Sequence, residues 1–104
     1  MPWNVRMNAK AAKKARLLPD KAKNALHLLW KDLEERGPMQ PDWPHFGKLQ
    51  GRPDEWHCHL KRGRPTYVVC WKSRKYGPKE RRSADEQGEI EIYYAWTHEN
   101  APYR

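Results

Sequence analysis

The sequence predicts an α+β fold whose elements run strand, helix, helix, strand, strand, strand, and three observations carry that expectation. Apolar and polar residues alternate from Trp3 to Met7. Apolar residues then recur at three- and four-residue steps between Ala22 and Leu33, and further alternating segments lie between Glu55 and Trp96. Helices gathered ahead of a run of strands, rather than interleaved with them, favour α+β over a parallel α/β sheet. At 104 residues there is room for one hydrophobic core, so a single domain over 1–104 is expected.

In the first strand Trp3, Val5 and Met7 share one face. Asn8 can cap a short basic helix running through Leu17, because its side-chain oxygen can accept from an unpaired first-turn amide. Leu18-Pro19-Asp20 turns the chain into a longer helix, with Pro19 near a position whose amide has no intrahelical partner in any case. Ala22, Ala25, Leu26, Leu29, Trp30 and Leu33 form its apolar stripe, and Gly37-Pro38 stops it. From 38 to 54, Pro38, Pro41, Pro44 and Pro53 with Gly47 and Gly51 oppose regular structure, so an ordered connection pinned by Trp43 and Phe46 is expected. Glu55–Lys61 and Thr66–Trp71 read as a β-hairpin around the basic turn Arg62-Gly63-Arg64-Pro65, its second strand apolar on both faces. A charged connection from Lys72 to Gly88 leads to a final strand, Glu89–Trp96, with Ile90, Ile92, Tyr94 and Trp96 facing one way. There is no internal repeat.

The 21 Lys and Arg against 13 Asp and Glu give a formal net charge of +8, which favours a polyanionic partner: RNA, DNA or an acidic protein. Neither a signal peptide nor an apolar run able to span a bilayer is evident, so a cytoplasmic protein with no membrane partner is expected. Two cysteines, Cys58 and Cys70, are too few for a disulfide framework, and their strand settings predict reduced, buried thiols.

Chemistry enters with spacing. On a strand His57 and His59 share a face about 6–7 Å apart, while Trp56, Cys58 and Leu60 point the other way. Lys61, Arg62 and Arg64 follow at once, so groups that move protons sit beside groups that hold phosphate and lower imidazole pKa values. Cleavage of RNA needs that combination: a base for the 2′-OH, positive charge on the equatorial oxygens, and a proton for the leaving 5′-oxygen. Solvated polar residues on a surface strand would leave the same pattern. A zinc site is a further option for His57 and His59, but no second His or Cys pair completes a ligand set, and no cofactor is expected. Lys10, Lys13, Lys14, Arg16, Lys21 and Lys23 form either a solvated face or a phosphate-binding surface.

Read together, Gly47-Lys48-Leu49-Gln50-Gly51, the run from Trp56 to Val68, Ile90-Glu91-Ile92-Tyr93-Tyr94 and the tail Thr97-His98-Glu99-Asn100-Ala101-Pro102-Tyr103 resemble a toxin of the RelE/ParE superfamily. The resemblance covers nearly the whole chain in element order. It implies a small twisted antiparallel sheet packed on two N-terminal helices, with the N- and C-terminal strands adjacent. It also implies a type II toxin–antitoxin system, metal-independent cleavage of messenger RNA on the ribosome, and an antitoxin with an acidic contacting segment. His57 and His59 stand where the family has alternating Lys or His, His98 where it has an Arg or His after the last strand, and Tyr103 at a C-terminal aromatic position. The family's Arg at the start of the next strand falls at Arg64, Pro65 or Thr66. The catalytic set implied is His57, His59, His98, Arg64 and Tyr103, with Lys10, Lys13, Lys14, Arg16, Lys61, Arg62 and Trp96 on RNA. Trp96 replaces a small residue of relatives, which either narrows the pocket beside His98 or offers a base a stacking surface. A ParE-like gyrase inhibitor and an inactive RNA- or antitoxin-binding relative remain alternatives on the same scaffold.

Overall fold

The computed structural model describes residues 3–102. Its elements are β1 (Trp3–Met7), α1 (Ala9–Ala15), α2 (Asp20–Arg36), β2 (Gly47–Lys48), β3 (Glu55–Lys61), β4 (Tyr67–Lys75), β5 (Gly88–Thr97) and a 3-10 turn (His98–Asn100). Asn8 caps α1 as expected, its Oδ1 accepting from the Ala11 amide at 2.8 Å. Pro19 is the residue before α2, and Gly37 ends that helix with φ at 90°, a conformation L side chains rarely adopt. A side chain there would also strike the Trp3 indole, which lies over Gly37.

One five-stranded sheet is formed in the order β1-β5-β4-β3-β2. The α+β class and the element order agree with the sequence reading, and β1 and β5 are neighbours. The sheet is mixed rather than wholly antiparallel: β1 runs parallel to β5, from Trp3 opposite Gly88 to Met7 opposite Ile92. No tight turn joins these two strands, so nothing forces an antiparallel pairing, and the intervening helices and strands supply the return. The short edge pair, Gly47 and Lys48 on β3, is an addition within the Pro-rich connection.

The core lies between α2 and the sheet. Ala22, Leu26, Leu29 and Leu33 meet Cys58, Val69, Trp71, Ile90, Ile92 and Ala95, with Trp30, Trp43, Phe46 and Trp56 packed around them. The connection is tied down as predicted. Trp43 Nε1 donates to Asp32 at 2.9 Å, the Phe46 ring stacks with Trp56 and Trp71, and the buried Gln40 amide donates to the Asp32 and Gly37 carbonyls. Val68, Val69, Cys70 and Trp71 are all fully buried, so β4 is covered on both faces.

Two expectations change. Lys72–Lys75 belong to β4 rather than to a loop, because Lys72 and Arg74 lie directly across from Glu91 and Glu89 and form ion pairs with them at 3.4 and 3.3 Å. Ile90, Ile92, Tyr94 and Trp96 also do not share one face. The β4–β5 register shifts between Cys70 and Trp71, whose partners are Tyr94 and Ile92; Tyr93 is the extra residue, and Ala95, not Tyr94, continues the buried row opposite Val69. Among the described residues no helix is long and apolar enough to cross a membrane.

Candidate active site

Four of the five histidines converge beyond the helix-free face of the hairpin. His57 and His59 lie opposite Cys70 and Val68 on β4, away from the core residues Cys58 and Trp71, and their ring centroids are 6.5 Å apart. The strand period predicts that placement. His98 reaches them from the turn after β5, where its backbone amide donates to the Thr66 carbonyl at 2.8 Å, and its ring meets His59 edge-on at 5.5 Å. The fourth, His45, is absent from the sequence-derived set. It stacks on His59 at 4.2 Å with planes 21° apart, and its Nε2 lies 2.8 Å from an Arg62 terminal nitrogen.

The loop is built to deliver His45. The Pro44 carbonyl accepts from the His59 amide at 2.8 Å, Gly47 pairs with His57, and the residues between change sides of the sheet. Phe46 enters the aromatic stack with Trp56 and Trp71, whereas His45, at φ 56°, turns onto His59. No periodicity signals such a residue. The one sign in the sequence is that His45 lies in the connection leading into the strand that carries His57 and His59.

Arg64 and His98 line one cleft of about 440 Å³ with Gly63, Pro65, Thr66 and Glu99. The turn is fixed by Thr66, whose Oγ1 accepts from the Gly63 amide and donates to its carbonyl. Arg62 and Arg64 are exposed, and Lys61 follows a bulge at Leu60 that sets it opposite Tyr67. Trp96 does not border His98's cleft. It lines a second one, of about 360 Å³, with Lys10, Lys14, Tyr94 and Asn100; the Lys14 ammonium sits 5.2 Å from its ring and Tyr67 packs against it edge-on. Lys13 is exposed on α1, while Arg16 faces a groove between α1 and α2. Tyr103 lies outside the described residues.

Electrostatics set the histidines apart. His59 is pushed down to about 4, first by burial and then by His45, His98, His57 and Arg62. His57 is lowered mainly by burial, opposed in part by a hydrogen bond with the Gly47 backbone. Both rings are therefore neutral at pH 7, and burial rather than neighbouring cations is the chief reason. Burial likewise raises both thiols, Cys70 up to about 12, so Cys58 and Cys70 are protonated and unreactive. Among the described residues no group of three or more His, Cys, Asp or Glu side chains is arranged to hold a metal ion.

The chain has a RelE-like fold. It superposes on a double-arginine mutant of the E. coli toxin RelE in its free state with a TM-score of 0.67, at 17% identity, over 97% of this chain and 88% of that one. No family model and no curated protein matches the sequence.

Proposed function

We propose that the chain is the toxin of a type II toxin–antitoxin system and that it cleaves messenger RNA on the ribosome. One observation carries this reading: on a RelE-like fold, the loop before β3, β3 itself and the distant turn after β5 bring His45, His57, His59 and His98 together beside the Arg62–Arg64 turn. In the proposed reaction a neutral His59 or His57 takes the 2′-OH proton, the 2′-oxygen attacks phosphorus, and His98 protonates the departing 5′-oxygen. Arg62 and Arg64 hold the phosphate and the charge that develops on it. The incoming anion raises the depressed imidazole pKa values, so substrate binding brings His59 closer to the range in which it works as a base. Lys10, Lys13 and Lys14 with Trp96 extend the basic surface along the RNA, Lys14 and Trp96 pairing a phosphate ligand with a stacking ring. No step requires a metal.

A partner protein fits elsewhere. The groove between α1 and α2, about 780 Å³, is floored by Met7, Ala12, Ala15, Leu26 and Trp30 and rimmed by Arg16, Lys23 and Lys31, with Glu34 the single acidic residue among them. An acidic amphipathic segment of an antitoxin matches both its floor and its rim. The deciding experiment is to incubate the chain with translating ribosomes in EDTA and map RNA ends. Fragments ending in 2′,3′-cyclic phosphate are expected; intact messenger with arrested gyrase would move the assignment to the ParE-like alternative.

A further inference from the structure

We propose that His45 is a positioning residue: by accepting a hydrogen bond from Arg62 and stacking on His59, it aims the phosphate-holding cation and the proton acceptor at one phosphodiester. This deepens the reading of the site as an RNA-cleaving one and rests on it. Three observations support it. The first is backbone conformation: His45 has φ at 56°, uncommon outside glycine, between two fixed points, the Pro44 carbonyl on the His59 amide and the Phe46 ring in the aromatic stack. Glycine would make that turn without strain, so a bulky side chain there points to a task for the imidazole. The second is geometry, since one ring stacks on His59, at 4.2 Å between centroids, and meets Arg62, at 2.8 Å.

The third is donor chemistry. A guanidinium has donors only, so the 2.8 Å contact requires a lone pair on His45 Nε2, and His45 is then the neutral tautomer with its proton on Nδ1. Protonating His45 turns Nε2 into a donor, breaks the Arg62 bond and leaves two cations face to face. The groups that face it are His59 from β3 and Arg62 from the turn, with His57 and His98 beyond His59.

Two variants of the full chain test this. His45→Gly relieves the left-handed backbone, so its Tm should equal or exceed that of the wild type. Its single-turnover cleavage on saturating translating ribosomes should fall by roughly 10- to 100-fold, as for a catalytic group misplaced by about 1 Å, with ribosome affinity retained. His45→Gln keeps an oxygen that can accept from Arg62 but does not titrate. It should recover most of the rate at pH 7 and show a shallower loss of rate on the acid side. Imidazole ¹⁵N NMR of the wild type should report the Nδ1–H tautomer. Full cleavage by His45→Gly while His98→Ala is impaired overturns the role of His45 and leaves the site reading standing, and so does an Nε2–H tautomer. Should His45→Gly lower the Tm, His45→Gln decides instead, and a wild-type pH profile in that variant overturns the proposal. A wild-type chain that leaves RNA intact on ribosomes removes the site reading, and this proposal with it.

Discussion

The rings of His59 and His98 lie 5.5 Å apart with planes inclined at 66°, although one belongs to β3 and the other to the turn after β5. In the proposed mechanism a base and an acid at that spacing address the two oxygens of one phosphodiester. Replacing His98 with Ala should lower the cleavage rate by roughly 10²–10⁴, the usual cost of losing one proton-transfer group, and leave ribosome affinity unchanged. Single-turnover cleavage and ribosome co-sedimentation check this. Full cleavage by each of His57→Ala, His59→Ala and His98→Ala, or its loss on chelation, contradicts the mechanism.

Stability should fall as the solution is acidified through the histidine range. His59 has a folded pKa of about 4 against 6.5 for the free side chain, so the unfolded chain binds more protons in that window and stability rises with pH. The contribution is complete above about pH 6.5 and lost as the pH approaches 4. His57, lowered in the same sense, adds to it. In His59→Gln the fall in Tm between those values should be shallower. A loss of 1 kcal/mol moves the Tm of a domain this size by about 4–8 °C, so calorimetry at stepped pH resolves it. An unchanged slope would place the His59 ring in a far wetter setting.

Lys10 and Lys14 share the cleft of Trp96. Reversing both charges should weaken ribosome binding and shrink the slope of log affinity against log salt by about 0.7–0.9 for each phosphate no longer neutralised. Because both side chains are exposed and leave the core untouched, the Tm should barely move. Binding titrations at four salt concentrations give the slope, and an unaltered slope removes these lysines from the RNA surface.

The groove between α1 and α2 predicts a separable antitoxin defect. Lys23→Glu with Lys31→Glu should weaken binding of the acidic partner and preserve cleavage, since both residues line that groove and not the cleft of His98 and Arg64. Co-expression should then show toxicity that the antitoxin no longer relieves. Equal neutralisation of variant and wild type would place the antitoxin elsewhere.

Much of the fold is legible in the sequence because local periodicity reports local structure. The α2 stripe, the Asn8 cap and the pairing of Glu55–Lys61 with the strand after it all follow from neighbours in sequence. What escapes depends on contacts between distant segments. The parallel direction of β1 is set by β5, the inclusion of Lys72–Lys75 in β4 by Glu89 and Glu91 opposite, and the turning of Tyr94 away from the Ile90 row by one extra residue in the ladder. The site divides the same way. His57 and His59 are visible from their period, and His98 through resemblance. His45 is not, because a single left-handed residue in a proline-rich loop leaves no pattern. Trp96 belongs to a different cleft from the expected one, since only the packing of α1 along β5 places it beside Lys14.

The pairing of β1 with β5 carries a consequence for the birth of the molecule. Val5 can meet Ile90, and His98 can reach His59, only after almost every residue between has been made, so the fold is dominated by pairings remote in sequence. A nascent chain whose closing strand is still inside the exit tunnel keeps His98 apart from His45, His57 and His59. The cluster is complete only once that strand has emerged, so the proposed site cannot form until synthesis is all but finished.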